Sequence, residues 1–422
     1  MHKNICIVKL PGKRNYALIS PGRIAYGLNA SEPELQGLVA EEETFLLEQK
    51  APIDIQDPLA SVSIGLIPTF DCNLGCIYCY ARGGETKEIM PLEIGMAAIK
   101  DATRSENREL LRIYLVGGGE PLLYFDLVKQ LIDYARATYQ NVEVNVVTNG
   151  TFDNNVLKWL LKYGVNVRVS YDGAMHDVQR PYANGKPSSF TVENNIRRLI
   201  LGGAFVIVQS IVTRDSLGTM QQTIDRVVPM GVNAIKFEPA IATGVSRASS
   251  ITEPDPKQYA EALWEAIRYV AEQGYDLTVD TGFFGEPSTD YYCGMPVNNR
   301  IVTPLGKVTS CVEVARPGDP YANTVMVGNI SGGRMVLDKT RKEALRILHY
   351  ANQLEGCSSC NLRMICHGGC PMANIWRNGL PIRKSMFTCT VEHTLLPKLL
   401  LAIAEDPRIA KIVMEGSEID RF

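Results

Sequence analysis

No run of 18 apolar residues occurs anywhere in the 422-residue chain, and Met1-His2-Lys3-Asn4 leads into a strand-like segment rather than a signal peptide. A cytoplasmic location is therefore expected, without a membrane span. Charge of one sign is also lacking. A net charge of −3 and a pI near 6.1 give no basic field, so nucleic acid is not an expected partner. Low-complexity tracts are missing. Cysteine is missing from the long middle section, since none of the eleven lies between Cys79 and Cys293. A disulfide framework would not leave such a body bare. In a reducing compartment this many thiols point to metal or cluster ligation. What is present, 45% hydrophobic and 21% charged residues, is an ordinary globular composition. The length suggests two or three domains, although one barrel can take about 250 residues.

The densest chemistry is Cys72-Asn73-Leu74-Gly75-Cys76-Ile77-Tyr78-Cys79, a C-x3-C-x2-C run just after the apolar strand candidate 62–68. Three thiolates on a glycine-containing loop can converge on one soft metal centre. They are one short of the four that a cubane iron–sulfur cluster takes, which would leave one iron open. The competing reading is half of a zinc site, but no fourth Cys or His lies near the loop.

Residues 1–57 read as an accessory unit, with strands at 5–8 and 16–19 and an acidic helix over 35–47. Cys6 in the first strand is expected as a small buried apolar residue. Pro52 to Pro58 reads as a linker. Strands and helices then alternate. Strand candidates are 62–68, 112–116, 142–147, 165–171, 205–212 and 234–237, separated by segments of helical periodicity that stop at Gly164, Gly202-Gly203 and Gly231. Six such units predict an α/β fold, a parallel sheet curled into a partial (β/α)6 TIM-like barrel over 58–245. Active residues are expected at the C-terminal ends of the strands, where the cysteine loop lies. A bridging helix and linker fill 246–285, the remaining seven cysteines occupy 286–400 with a closing helix at 395–403, and 401–422 is a tail.

The loop with its aromatic Tyr78 resembles the signature of radical S-adenosylmethionine enzymes. That resemblance implies a 4Fe–4S cluster on Cys72, Cys76 and Cys79 whose open iron holds S-adenosylmethionine, the source of a 5′-deoxyadenosyl radical that abstracts a substrate hydrogen. Other segments fit the same pattern: Gly118-Gly119-Glu120-Pro121 after the second strand, Thr148-Asn149-Gly150-Thr151 after the third, and Ser170-Tyr171-Asp172-Gly173 with His176 to Arg180 after the fourth. By likeness, Tyr78, Gly118, Gly119, Glu120, Asn149, Ser170 and Arg180 bind the cofactor, with Ser170 on the ribose, while His176 orders its surroundings. Taken alone, Gly118 to Pro121 also reads as a plain strand-to-helix turn. Glu238-Pro239 joins the rim without an assigned role.

The spacing Cys293-x12-Gly306-x4-Cys311, Cys357-x2-Cys360-x5-Cys366-x3-Cys370 and Cys389 resembles the seven-cysteine SPASM domain. That likeness implies two auxiliary 4Fe–4S clusters. Cys357, Cys360, Cys366 and Cys389 would close one, while Cys293, Cys311 and Cys370 would hold the other one ligand short, with an open iron or a residue such as Asp290 completing it. A zinc ribbon would leave three of these cysteines unexplained. Enzymes of this type act mostly on peptides, so the resemblance implies maturation of a ribosomally made peptide by a C–C, C–O or C–S crosslink or a related change. It also implies an electron donor such as flavodoxin or ferredoxin. Sulfatase maturation, the oxidation of Cys or Ser to formylglycine, is the alternative; there an Asp follows the second cysteine as base, whereas Cys311 is followed by Val312-Glu313. Glu313 is the candidate proton acceptor, against the plainer reading of an exposed acid in a turn. A non-enzymatic iron–sulfur sensor is the third reading.

Overall fold

The structure is a computed structural model that describes residues 5–20, 23–48, 61–104, 109–244, 253–282, 291–348, 353–379 and 382–414. Two compact units interleave along the chain. The smaller is assembled from Met1–Gln56, Asp255–Cys293 and Ile347–Arg421, the larger from Asp57–Pro254 and Gly294–Arg346. The 52–58 linker reading and Asp290 lie outside the described residues.

The smaller unit opens with strands β1 (Cys6–Lys9), β2 (Tyr16–Ser20) and β3 (Arg23–Gly27) in an antiparallel meander. β3 was not foreseen in the sequence. The helix Glu32–Glu48 follows, and Glu34 in its first turn reaches back to Ser31. Ser31 donates its N–H (2.6 Å) and hydroxyl (2.7 Å) to the Glu34 carboxylate, while its carbonyl accepts from Leu35 N. Cys6 is 2% exposed, in a core with Val8, Leu10, Ala17, Ile19, Leu362, Ile365, Leu396 and Leu400, as an apolar residue would be. The 380 or so residues between β2 and the last of these leucines explain why no local periodicity shows this core. Helix Pro256–Gln273 is capped by Asp255, strand β10 (Thr278–Asp280) follows it, and helices Met386–Glu405 and Pro407–Met414 close the unit. Tyr259 lies against Phe387, with ring centroids 6.2 Å apart, and Lys398 pairs with Glu261. Met386–Glu405 is also, among the described residues, the one helix long and apolar enough to cross a membrane. Its Leu395, Leu396, Leu399 and Leu400 are buried in the protein.

The larger unit carries the six expected parallel strands: β4 (Ser61–Leu66), β5 (Leu110–Leu115), β6 (Val142–Thr148), β7 (Asn166–Ser170), β8 (Val206–Val212) and β9 (Ala234–Pro239). They lie side by side in chain order, with helices between consecutive strands as a β/α partial barrel requires. Gly164 (φ +59°) and Gly231 (φ +81°) occupy the left-handed positions that end their helical segments. Beyond β4 the sheet continues through β11 (Ile301–Val302), parallel to β4, and then antiparallel β12 (Lys307–Thr309), β13 (Met326–Ser331) and β14 (Arg334–Leu337). Residues 294–346 cluster with the barrel strands in the larger unit, and at the open edge of the barrel sheet Gly65 N–H donates to Arg300 O and Ile67 N–H to Val302 O (2.9 Å each).

Candidate functional site

The loops after β4 to β8 meet at one end of the larger unit. The thiol loop is fastened to the end of β5 by backbone: Gly119 N–H donates to Thr69 O (2.9 Å) and Glu120 N–H to Asp71 O (2.8 Å). This approach leaves no room for side chains. A Cβ on Gly119 would lie 1.9 Å from Asp71 O, and one on Gly118, at φ +73°, would lie 2.4 Å from Ile67 Cγ2. These two glycines position the loop.

Glu120 is 4% exposed. Its carboxylate accepts from Thr148 Oγ1 (2.7 Å), Asn149 N (2.6 Å) and Leu122 N (3.1 Å), tying β5 to the end of β6. Burial raises its pKa to about 7 against those three hydrogen bonds. Asn149 donates to Asn73 Oδ1 (2.8 Å) and lies 3.9 Å from Cys72 Sγ. Asn73 in turn donates to Thr151 Oγ1 (2.8 Å).

Asp172 is the hub of the rim, a role the sequence did not disclose. One oxygen accepts from Tyr78 Oη, Gln179 Nε2 (2.8 Å) and Arg180 Nε (3.0 Å), the other from Ile211 N (2.9 Å). The Arg180 guanidinium lies 5.1 Å from the centre of the Tyr78 ring. Burial opposes its charge, yet Asp172, Tyr78 and Cys76 outweigh burial and raise its pKa. Tyr78 is buried and its phenol is held well above the usual range, chiefly by burial. His176 is fully buried: its Nδ1 accepts from Asp172 N (3.1 Å) and its Nε2 lies 3.0 Å from Ser188 Oγ, which donates to Arg180 O (2.6 Å). Burial lowers its pKa to about 4. Ser170 is half-buried at the end of β7.

Cys72 and Cys76 are pushed up to about 12 and about 11, mainly by burial, with Arg180 pulling Cys76 down. Cys79 Sγ accepts from Gly83 N (3.3 Å). The turn carrying Cys311 and Glu313 is pinned to this loop: Arg316 donates to Ala81 O (2.5 Å) and stacks 4.0 Å from the Phe70 ring, and Asp319 pairs with Arg82 (2.8 Å). Tyr80, also absent from the expected set, faces the same turn. Burial, followed by the charges of Cys79, Glu313, Cys311 and Glu238, holds its phenol well above the usual range.

In the smaller unit Cys357, Cys360, Cys366 and Cys389 line one cavity, together with Lys384, Glu392 and His393. His393 Nε2 lies 3.6 Å from Cys360 Sγ. Glu392 is 1% exposed, its Oε2 finds no hydrogen-bond partner, and burial raises its pKa well above the usual range. Among the described residues no three His, Cys, Asp or Glu are packed closely enough for a single metal ion. Cys293 and Cys370 belong to the smaller unit and Cys311 to the larger.

Six parallel strands with a three-thiol loop after the first and a polar rim after the next four define a barrel enzyme that begins its chemistry at a sulfur-ligated centre. Residues 66–227 match the Radical SAM superfamily. It is 31% identical over 171 residues to an uncharacterised protein of Methanocaldococcus jannaschii, covering 40% of this chain and 58% of the relative's length. It is 26% identical over 341 residues to the mycofactocin maturase MftC of Mycobacterium ulcerans, covering 74% and 84%. A serine-type anaerobic sulfatase-maturating enzyme of Klebsiella aerogenes is 22% identical over 322 residues, covering 71% and 77%. The fold matches anSMEcpe with bound AdoMet and the Kp18Cys peptide (TM-score 0.69, 18% identity, 83% of this chain and 99% of that one). It also matches Streptococcus suis SuiB bound to the precursor peptide SuiA (TM-score 0.58, 14% identity, 92% and 99%). A Radical SAM match implies S-adenosylmethionine and one 4Fe–4S cluster. The donor set fits: three thiols share one loop, and a glycine-lined backbone lies beside them.

Proposed function

We propose that this protein is a radical S-adenosylmethionine maturase that abstracts hydrogen from a ribosomally made peptide and leaves an oxidative crosslink or a related side-chain modification. The observation that carries the reading is the joining of the Cys72–Cys79 loop to the ends of β5, β6 and β7 through Glu120, Asn149 and Asp172. Similarity to the mycofactocin maturases supports a peptide as substrate. Loaded on Cys72, Cys76 and Cys79, the cluster and S-adenosylmethionine would supply the 5′-deoxyadenosyl radical.

The chain's own residues would do the rest. Gly118 and Gly119 keep the backbone open beside the thiols, Asn149 and Ser170 offer polar contacts to the cofactor, and Arg180 brings a fixed positive charge next to Cys76. Tyr78 closes the site against water, held by Asp172. Glu313, on the turn fastened to the thiol loop, is the proposed proton acceptor. Cys357, Cys360, Cys366 and Cys389 are proposed to hold one auxiliary cluster. The second, on Cys293, Cys311 and Cys370, rests on sequence spacing alone, and a redox protein such as flavodoxin or ferredoxin is the proposed electron donor. The accessory strands and helix of residues 1–57 are proposed to bind the leader of the peptide.

Anaerobic protein should hold roughly twelve irons for three cubanes and convert S-adenosylmethionine to 5′-deoxyadenosine under dithionite. Cys76→Ala should abolish that cleavage. Zinc without sulfide, or deoxyadenosine formed undiminished by Cys76→Ala, would sink the proposal. Similarity to the Klebsiella enzyme keeps formylglycine formation as the second reading. A sulfatase peptide oxidised at its Cys or Ser would establish it instead.

A further inference from the structure

Between Gly356 and Val391 the chain has no Asp or Glu, yet it carries Arg363, Arg377, Arg383 and Lys384. At the frequency of acids in the whole chain, 46 in 422 residues, a stretch of this length would hold about four. The segment encloses the four cysteines of the cavity, and cations line it: Arg363 and Lys384 are wall residues. Its outer face is accessible. Ser358 and Ser359, between Cys357 and Cys360, are exposed, as are Asn361 and His393. Ile382 and Met386, which flank the wall residues Lys384 and Ser385 in the chain, are 44% and 64% exposed, and the Arg383 side chain is 61% exposed. A small apolar patch set among cations, on a chain of net charge −3, is the composition of a transient, electrostatically guided interface.

We infer that the mouth of the four-cysteine cavity is a docking surface for an acidic one-electron carrier protein. The inference rests on the proposed cluster at Cys357, Cys360, Cys366 and Cys389. Four thiols saturate the four irons of a cubane, so a group held there has no free position for a substrate and serves electron transfer. A carrier protein is therefore the occupant that this surface fits, rather than the peptide substrate. Charge sets the fit. Of the two acids that bound the segment, Glu392 is buried in the cavity wall, while Glu355 pairs with Arg383 at 3.6 Å and offsets part of its charge.

The test measures binding of oxidised acidic flavodoxin to reconstituted holoenzyme. Affinity should fall about tenfold or more between low and physiological salt. Arg383→Glu should weaken it by about tenfold, and Glu355→Gln should tighten it by a few-fold. Iron content and dithionite-driven S-adenosylmethionine cleavage should stay at the wild-type level in both variants. An affinity that ignores both substitutions overturns the inference, and so does a loss confined to binding of the peptide substrate. The underlying reading fails separately, if Cys357→Ala with Cys389→Ala leaves the iron content unchanged.

Discussion

At the residue scale, two buried groups of the barrel unit pull its stability in opposite directions with pH. His176, held at about 4 by burial, takes up its proton more readily when the chain unfolds. Its contribution is present above the unfolded value of about 6.5 and is lost as pH falls toward 4. Glu120, raised to about 7 by burial, binds its proton more tightly when folded. Its contribution is present below about 4.5 and is lost as pH rises toward 7. Between roughly pH 4.5 and 6.5 the two slopes, each of order 1.4 kcal/mol per unit, cancel. The comparison of Glu120→Gln with wild type isolates the Glu120 part of that balance. Glu120→Gln should become more stable as pH rises from 4.5 to 6.5, with a slope of about 1 kcal/mol per unit. Parallel profiles for the two proteins would refute the assignment. A second expectation concerns Asp172. Asp172→Asn leaves the buried Arg180 without its counter-charge and should cost about 3 kcal/mol, read as a lower urea midpoint. An unchanged midpoint would remove Asp172 as the hub. Cysteines and glycine clusters were legible because their chemistry fixes residue type and local spacing. Asp172 was not, because its partners Tyr78 and Ile211 lie 94 and 39 residues away.

At the element scale, the loop after β4 has its shape because the end of β5 presses on it. Gly119→Ala would place a methyl carbon 1.9 Å from Asp71 O, a backbone atom that cannot rotate aside. The Cys72 end of the loop would have to move while the sheet remains. Iron bound at this loop and deoxyadenosine formation should both drop by at least about tenfold, with far-ultraviolet circular dichroism unchanged. Full iron loading in Gly119→Ala would show that the loop is not held by this contact. The six parallel strands were legible from apolar runs ended by glycine stops. β11 was not. Two residues cannot display a period, and their strand character comes from the β4 edge they cover.

At the scale of the whole molecule, the smaller unit is one core built from three separate chain segments. The accessory strands β1 and β2 bury Val8, Leu10 and Ile19 against Leu362, Ile365, Leu396 and Leu400, which lie more than 300 residues later. Three strands of four or five residues with one helix are too small to stand alone in water. Their order must come from that distant segment, and the segment also supplies Cys360, Cys366 and Cys389. Leu400→Asp sets an unpaired charge at a fully buried position, a cost of several kcal/mol. Hydrogen exchange should then accelerate together in peptides covering β1, β2 and the Met386–Glu405 helix, while peptides from β5 and β6 keep wild-type protection. Exchange confined to the helix, with β1 and β2 still protected, would mean that the amino-terminal strands fold on their own. Joint loss would mean that the accessory strands and the cysteine-bearing segment fold as one piece around a continuous apolar core, in which Ile19, Ile365 and Leu400 are members.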